Sequence, residues 1–439
     1  MGGGPPGEAM RLTPTSFAAT GEAVGRAEDD RGKIVAVRVV GGIVGEEADV
    51  RVGHRGGNFV HAHWVGSPAF SPDRVDPGCE HVEACGGCPW LHISRTRAHA
   101  ERAARVEAVL AAAGVHVHVE PRAAPPNEGR HVVKLVGLDG PRGVRIGAYQ
   151  PHSHEVMRIS GCIALAPKLR ALTRLPLLDV PEGIIRHLIA RESSLDGAVL
   201  ATLVVRDDHP SIRNLEGVFR RAGVGGLAVH RNTRPGDGIL DPTGPTSVLW
   251  GVPRIREWVH HDGEPVVVEI GPTDFFQTNP VVGRQIWADL PDPGPLLVDL
   301  YCGVGAVAFA LWARDRQVRV FGVEENPGAI ERARATAARL GAAATFAGGA
   351  AGSVPLPEGF TGATVVLNPP RKGTSEAVRQ QVDALRPRAI VLISCHPEPM
   401  ARDLAAWTST GWRVDSATAY EMFPGTSHVE TVAVLTRAG

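Results

Sequence analysis

The chain has 439 residues, which is enough for two or three domains, each with its own core. Its hydrophobic fraction of 43% and charged fraction of 21% are those of an ordinary globular protein, and no apolar run reaches membrane-spanning length. A formal net charge of −1 excludes an overall positive field, so any nucleic-acid surface must be local. The first residues, MGGGPPGEAMRL, contain no apolar stretch typical of a signal peptide. We therefore expect a cytoplasmic protein in a reducing compartment.

The N-terminal part predicts a small β-barrel. Short β-rich segments alternate with Gly-containing turns, as in KIVAVRVV, GGIVGEEADVRV and NFVHAHWV. The Pro-rich stretch SPAFSPDRVDP over residues 67–77 is typical of a linker. A helix is predicted from Ser94 to about Ala113, ended by Gly114, with four arginines along it.

The remaining sequence changes character near residue 270. Up to that point the pattern is mostly strand-like. Beyond it, apolar runs such as LLVDL, VRVFGV, ATVVL and AIVLIS alternate with helical stretches, which predicts an α/β domain with a doubly wound, Rossmann-like sheet. Asn326-Pro327 should open one of its helices and Gly341 should close it. We therefore predict three parts: residues 9–66, a central β-rich domain over residues 67–270, and the α/β domain over residues 271–439.

A glycine-containing turn follows the first strand of the α/β domain. The segment Asp299-Leu-Tyr301-Cys-Gly303-Val-Gly305 allows a cofactor to approach the backbone, and Glu324 ends the next strand, where a carboxylate can accept both hydroxyls of an adenosine ribose. This arrangement is shared with dinucleotide-binding enzymes. However, Phe309 and Ala310 occupy the region of their third glycine, which favours S-adenosylmethionine over NAD.

Three further residues suggest chemistry at the same sheet edge. Cys395 ends the strand AIVLISC, and Asn368 ends the strand before it, where open α/β sheets hold their sites. A buried structural role is common for a cysteine, but Ser394 and His396 make this surrounding polar. Glu430 lies inside an otherwise apolar last strand. Burial of a carboxylate there is unfavourable in free energy, which indicates a functional role.

Taken together, these motifs resemble the uracil-5 RNA methyltransferase family, which includes tRNA and 23S rRNA enzymes. GEAVGR and GGIVGEEADVRV are similar to its TRAM β-barrel, and FQTN, DLYCGVG, NPPRKG, SCHP and FPGTSHVETV follow in the family's order. The resemblance covers nearly the whole chain. It implies RNA binding by residues 9–66 and RNA contacts in residues 67–270, with 23S rRNA favoured over tRNA as the substrate. It implies no membrane and no obligate protein partner.

The resemblance also implies roles for individual residues. Cys395 is the implied nucleophile that adds to carbon 6 of uracil, and Glu430 is the implied base that removes the carbon-5 proton. The implied S-adenosylmethionine-binding residues are Gln277, Tyr301, Gly303, Gly305, Glu324 and Asn368. Cys79, Cys85, Cys88 and Cys162 are similar to the family's [4Fe–4S] site, although four thiolates with this spacing also suit zinc.

Some positions depart from the family pattern. Ala306 and Ala350 replace residues that are usually polar, Asn368 stands where Asp is usual, and His396 stands where Asn or Asp is usual. A lost hydrogen bond at any of them would weaken cofactor or base binding by about 1 kcal/mol. Two alternatives therefore stay open: an amino-group methyltransferase using the Asn-Pro-Pro-Arg motif, and a non-catalytic RNA-binding protein on the same fold.

Overall fold

A computed structural model of the chain describes residues 8–29, 32–56, 59–126, 129–151, 153–176, 178–236, 238–260 and 264–438. The chain divides into two compact units. The first contains residues 1–101, 149–155 and 423–427, and the second contains residues 102–148, 156–422 and 428–439. Each unit is therefore assembled from separated stretches of sequence.

The first unit contains a six-stranded sheet in the β-rich N-terminal region. Its strands are β1 (Ala9–Leu12), β2 (Ser16–Phe17), β3 (Ala23–Glu28), β4 (Ile34–Val40), β5 (Ala48–Arg55) and β6 (Val60–Gly66). They lie in the order β1-β5-β6-β4-β3-β2, and all neighbours are antiparallel except β4 and β6. Alternate residues such as Val37, Val39, Val50 and Ala62 fill one core. Asn58, with which the sequence motif NFVHAHWV begins, lies outside the described residues.

Helix α1 (Arg95–Ala112) confirms the helix expected near residue 94. The Ser94 hydroxyl accepts a hydrogen bond from the Arg97 amide at 3.3 Å, and Gly114 has φ of 80°, as helix ends require. Arg102 is only 2% exposed and forms an ion pair with Glu421. Arg102 is therefore held inside the protein and is not presented on the surface of the helix.

The central part of the second unit is built on a seven-stranded sheet. After β7 (Val119–Arg122) come β8 (Val132–Gly140), β9 (Gly143–Tyr149), β10 (Val156–Arg158), β11 (Ile185–Glu192), β12 (Val199–Val205), β13 (Gly226–Arg231) and β14 (Thr246–Gly251). The order β10-β9-β8-β11-β12-β13-β14 makes β11 and β12 central, and most of their side chains are buried. Helix α2 (Pro167–Leu172), a 3-10 helix (Pro210–Leu215) and α3 (Glu216–Arg221) connect the strands, and β15 (Ile255–His260) pairs with β16 (Val266–Ile270).

The C-terminal part confirms the predicted α/β fold. Strands β17 (Leu296–Leu300), β18 (Arg319–Glu324), β19 (Ala344–Gly348), β20 (Thr364–Leu367) and β21 (Ala389–Ser394) are parallel, and the antiparallel β22 (Trp412–Tyr420) and β23 (Glu430–Arg437) follow. The sheet order is β19-β18-β17-β20-β21-β23-β22-β7, so a strand from far upstream completes its edge.

Five helices belong to this sheet: α4 (Pro280–Asp289), α5 (Ala306–Arg314), α6 (Pro327–Leu340), α7 (Glu376–Ala384) and α8 (Pro397–Thr408). The prediction for α6 is confirmed at both ends, because the Asn326 side chain caps its first turn and Gly341 adopts the left-handed conformation after its last. Among the described helices, none is long and apolar enough to cross a membrane.

Candidate active site

The carboxyl ends of four parallel strands gather most of the site residues expected from sequence. Strand register places Leu300 beside both Val323 and Leu367, and Leu367 beside Leu392. The turn from Tyr301 to Gly305, Glu324, Asn368 and Cys395 therefore emerge along one edge of the sheet. This is the edge where doubly wound sheets bind ligands.

The turn after β17 is wound tightly around Glu324. The amide of Gly303 donates to Glu324 Oε2 at 3.0 Å, and the amide of Asn326 donates to its Oε1 at 2.7 Å. Tyr301 has φ of 71°, a left-handed conformation that is uncommon for a residue with a side chain. At Gly305, with φ of 83°, an added Cβ would lie 2.6 Å from the Phe309 ring. The backbone conformation therefore requires glycine there and keeps the turn open to close approach.

Asp299 provides a test of whether a cationic cofactor suits this turn. Its side chain is fully buried. The Ala308 amide lies near it, but within the described part of the chain neither carboxylate oxygen has a hydrogen-bond partner of good geometry. Burial, reinforced by the charge of Glu324, raises the pKa of Asp299 to about 8. A buried acid without an internal partner, a glycine turn and Glu324 fit the cationic, ribose-bearing S-adenosylmethionine. The residues that would hold it are Tyr301, Gly303, Gly305 and Glu324.

Gln277 lies on the segment that leads into α4. Its side chain is buried, and an added Cβ at Gly283 of that helix would lie 3.2 Å from it. The Asn279 side chain caps α4 by accepting from the Val282 amide. The Thr278 carbonyl accepts a hydrogen bond from the His131 amide at 2.8 Å, which ties this segment to the residues just before β8.

Cys395 and Glu430 are brought together by strand pairing. Ser394, the last residue of β21, pairs with Thr431 of the antiparallel β23, so Cys395 and Glu430 stand at the next register position. Glu430 is 4% exposed, and burial raises its pKa to about 8. Burial and the neighbouring charge of Glu430 raise the pKa of the Cys395 thiol to about 11. A buried carboxyl therefore stands beside a thiol whose protonation it influences, an arrangement that is typical of functional sites.

Arg371 of the Asn-Pro-Pro-Arg motif lies beside this pair. Its guanidinium is close enough for its charge to act on Cys395, where it lowers the pKa of the thiol and opposes burial. The half-buried His396 also feels Arg371, and burial followed by that charge lowers the pKa of the imidazole. A neutral imidazole and a cation therefore border the thiol.

Asp403 of α8 holds the loop that presents Arg371. Its Oδ2 accepts the Thr374 amide at 2.7 Å, and its Oδ1 lies 3.5 Å from Arg379 and 3.3 Å from Arg402. Arg402 also donates to the Lys372 carbonyl at 2.6 Å. Asp403 is 1% exposed and was not expected from sequence, because a single acid in an amphipathic helix carries no local signal.

The expected iron–sulfur cysteines divide between the two units. Cys79, Cys85 and Cys88 lie on consecutive turns of the first unit, where Cys85 Sγ accepts the Gly87 amide at 3.4 Å, and Cys162 lies between β10 and α2 of the second. No disulfide joins any of the six cysteines, all of which are described. Within the described ranges, no group of three or more Cys, His, Asp or Glu side chains is arranged to hold a metal ion. The iron–sulfur site therefore stays a prediction.

Comparisons with known proteins agree with this site. The sequence model of the tRNA (Uracil-5-)-methyltransferase family matches residues 356–438, which contain Asn368, Cys395 and Glu430. An uncharacterized RNA methyltransferase of Thermosynechococcus vestitus is 32% identical, with 98% of each chain covered. Another from Caldanaerobacter subterraneus is 27% identical, again with 98% of each covered.

A solved structure supports the fold over almost the full length. The tRNA (uracil-54, C5)-methyltransferase of Pyrococcus abyssi, determined in complex with S-adenosyl-L-homocysteine, superposes with a TM-score of 0.73 at 23% identity. The match covers 97% of this chain and all of that one. At this identity the likeness concerns the fold, while the more similar sequences identify the family. The chain belongs to the uracil-5 family of S-adenosylmethionine-dependent RNA methyltransferases.

Proposed function

We propose that this protein transfers a methyl group from S-adenosylmethionine to carbon 5 of a specific uridine in structured RNA, through a covalent cysteine–uracil adduct. The observation that carries the proposal is the pairing of Cys395 with Glu430 at adjacent strand ends, on the sheet edge that bears the glycine turn. An amino-group methyltransferase has no use for this thiol–carboxyl pair.

The two side chains divide the reaction between them. The Cys395 thiolate adds to carbon 6, forming a carbon–sulfur bond and placing the electron pair on carbon 5. The bound cofactor supplies an electrophilic methyl group to that carbon. Glu430 then takes the carbon-5 proton, the double bond re-forms, and the thiolate leaves from carbon 6. The charge of Arg371 favours the thiolate, which is the form of Cys395 that attacks carbon 6 and the form that leaves at the end.

The protonation of the free enzyme supports an order of events. With pKa values of about 11 and about 8, Cys395 and Glu430 both keep their protons at neutral pH. The thiol is therefore weakly nucleophilic and Glu430 cannot yet act as a base. We propose that both protons pass to solvent after RNA enters and before the steps that use these groups. The target base must be extruded from its stack at a cost of a few kcal/mol, so a loop uridine is the cheaper substrate.

Substitution of each catalytic residue tests the mechanism. Cys395→Ala should abolish methylation, because no adduct can form. Glu430→Gln should accept the methyl group but stall before elimination, leaving enzyme and RNA joined in denaturing gels; a general base contributes about 10²- to 10⁴-fold. Wild-type enzyme should be trapped in the same way by 5-fluorouridine, since fluorine cannot leave as a proton does. Glu358→Gln, which removes an exposed carboxylate from the loop before β20, serves as the control that still completes the reaction.

The outcomes separate this proposal from its rivals. Full methylation by Cys395→Ala would overturn the covalent mechanism. Methylation without any adduct is the result expected of an amino-group methyltransferase, and consumption of no cofactor is the result expected of a binding protein. Mapping of 5-methyluridine in 23S rRNA and tRNA, with and without the gene, would identify the substrate. We propose 23S rRNA before tRNA on the resemblance, although the matched family and the superposed structure carry tRNA in their names.

The remaining parts of the chain complete the proposal. We infer that residues 9–66 form a TRAM-like domain that binds RNA, that residues 67–270 add RNA contacts, and that residues 271–439 contain the catalytic site. We also infer that the protein acts in the cytoplasm. Cys79, Cys85, Cys88 and Cys162 would bind a [4Fe–4S] cluster, supported by their four thiol donors and by the resemblance. No catalytic step depends on it. Iron and sulfide content after anaerobic purification would measure it, and colourless protein holding one zinc would contradict it.

A further inference from the structure

Residues 271–279 join β16 to α4, and all of them are described, but they form neither helix nor strand. Hydrogen bonds from the central sheet hold this segment instead. The Thr202 hydroxyl of β12 donates to the Pro272 carbonyl at 3.2 Å, and the buried Arg191 of β11 donates to the Asp274 carbonyl. The backbone of the 271–279 segment is therefore attached to two central strands before it enters α4.

The Asp274 side chain attaches the same segment to helix α6. This side chain is buried, and its Oδ2 accepts hydrogen bonds from the Gly271 amide at 2.7 Å and from Arg332 Nε. Its Oδ1 accepts a hydrogen bond from Arg332 Nη2 at 2.7 Å. Two nitrogens of one guanidinium thus bind both oxygens of one carboxylate, which fixes their relative orientation. Glycines leave room for this guanidinium, because an added Cβ at Gly271 or at Gly328 would lie 2.6 Å from it.

The 271–279 segment and helix α6 both border the proposed cofactor site. The Phe275 carbonyl oxygen lies 3.8 Å from the position that a Cβ at Gly303 would occupy, so the segment passes beside the glycine turn. Arg332 belongs to the second turn of α6, and this helix begins three residues after Glu324. The ion pair therefore connects the segment that carries Gln277 with the helix that follows the turn around Glu324.

The surroundings of the ion pair indicate a role in position more than in stability. The loss of water around two buried charges offsets most of their attraction, so such a pair adds little to the net stability of a fold. Apolar packing does not hold this part of the segment either, because the neighbouring Phe275 exposes 63% of its surface. The bidentate contact between Asp274 and Arg332 is thus the feature that fixes the segment relative to α6.

We propose that the Asp274–Arg332 ion pair positions the 271–279 segment for binding of S-adenosylmethionine. The pair holds the segment beside the glycine turn, so that Gln277 and the Phe275 carbonyl form one wall of the cofactor site and the turn forms the other. The inference rests on the proposed function and adds two positioning residues to it. Neither of these side chains needs to touch the cofactor. When the pair is broken, the segment samples other positions, and the apparent affinity falls in proportion to the fraction of molecules in which the wall is in place.

Asp274→Asn tests the inference with little change of shape. The amide keeps an acceptor for Gly271 but cannot accept from both nitrogens of Arg332. The KM for S-adenosylmethionine should rise about tenfold, and calorimetry should show the same loss of affinity for S-adenosyl-L-homocysteine. The kcat at saturating cofactor and the affinity for a substrate RNA stem–loop should stay within about twofold of wild type. Arg332→Lys, which keeps one charged donor, should raise the KM by a smaller factor and provides a second variant if Asp274→Asn does not fold.

Arg339→Met is the matched control on the same helix. Arg339 donates to the Val267 carbonyl of β16, so its removal loosens α6 without touching the 271–279 segment. This variant should keep the wild-type KM for the cofactor even if its Tm is lower. Amide hydrogen exchange of the cofactor-free protein is a readout that does not depend on activity. Residues 271–279 should exchange faster in Asp274→Asn than in wild type, while β17 and β18 should exchange at the wild-type rate.

The KM and the kcat distinguish positioning from a merely structural role. Partial unfolding lowers the concentration of active enzyme, which reduces the kcat at an unchanged KM. A wild-type KM for the cofactor in folded Asp274→Asn or Arg332→Lys would therefore overturn the inference. So would a rise in KM that Arg339→Met shows equally. If wild-type enzyme binds S-adenosyl-L-homocysteine but forms no 5-fluorouridine adduct, the proposed covalent function fails, while the effect of the ion pair on cofactor affinity is still measured.

Discussion

Glu430 and Cys395 hold their protons because the protein removes them from water. Burial alone accounts for the raised pKa of Glu430, and burial followed by the charge of Glu430 accounts for that of Cys395. The charge of Arg371 opposes this rise in the pKa of the thiol. Because the raised pKa keeps the Cys395 thiol protonated, it also protects the sulfur from oxidation, since the thiolate is the form that oxidants attack.

The raised pKa of Glu430 predicts a stability difference that depends on pH. The folded protein holds this proton up to about pH 8, while the unfolded chain releases it near 4.5. The contribution of Glu430 to stability is complete below pH 4.5 and is lost as pH rises through 8. Glu430→Gln has no carboxyl at this position and so suffers no such loss. The free energy of unfolding of the variant, relative to that of wild type, should therefore rise by a few kcal/mol between pH 5 and pH 8.5.

Urea unfolding at both pH values measures this difference. Asp299 and Glu257 also have raised pKa values, but their contributions are the same in variant and wild type and therefore cancel. Glu269→Gln on β16 is the matched control, because it removes a carboxylate that lies near the surface and pairs with the exposed Arg254. Equal gains for the two variants would show that Glu430 is not buried as described.

Helix α8 contacts the loop and the strand end that carry the residues of the proposed site. It begins two residues after Cys395, and its Asp403 binds the Thr374 amide and two arginines. The loop that carries Arg371 and the strand end that carries Cys395 are therefore both joined to the same helix. Asp403 also acts on Tyr301, because burial and then its charge raise the pKa of that phenol.

Asp403→Asn should therefore loosen the loop as well as lower stability. The variant keeps an acceptor for Thr374 but leaves Arg379 and Arg402 uncompensated, which should cost on the order of 1–3 kcal/mol. If Arg371 moves away, alkylation of Cys395 by iodoacetamide should require a higher pH than in wild type. Asp415→Asn on β22 is the control. Its carboxylate accepts hydrogen bonds from Arg413 and from Thr436 of β23, and its removal should leave the alkylation profile unchanged. An unaltered profile in Asp403→Asn would mean that the loop is held by other contacts.

Local signals explain which elements could be predicted from the sequence. The caps of α6, the glycine turn and the apolar strands are encoded by neighbouring residues, so their positions followed from pattern alone. The meeting of Cys395 with Glu430 needed the resemblance, because 34 residues lie between them, including the whole of α8 and β22. Asp403 had no local signature at all. Its role comes from partners distant in sequence, which periodicity does not encode.

The architecture of the whole molecule depends on long-range pairing. The eight-stranded sheet ends in β7, which pairs in parallel with β22, and the β15–β16 hairpin packs against α5 and α6. Both lie upstream of residue 271, where the sequence predicts that the α/β domain begins. In addition, Ala103, Val106 and Leu110 of α1 belong to the same hydrophobic core as Val298 and Leu392.

A fragment of residues 271–439 should therefore not fold cooperatively. Without β7 the edge of β22 is exposed, and without α1 and the β15–β16 hairpin the core loses a covering layer. A fragment of residues 102–439, which retains all of these elements apart from the first turns of α1, should show a single thermal transition by circular dichroism. A sharp transition in the shorter fragment would show that the upstream strands are dispensable.

The pairing of β7 with β22 also has a consequence for biosynthesis. Strand β7 leaves the ribosome early, but its partner follows roughly 300 residues later, on the order of 15–60 s of translation at 5–20 residues per second. During that interval the nascent chain carries a strand whose hydrogen-bonding edge has no partner, and β-strands in this condition are prone to aggregate. The mixture of Glu120, Pro121 and Arg122 within β7 suits this delay, because charged residues and a proline discourage pairing with the wrong chain.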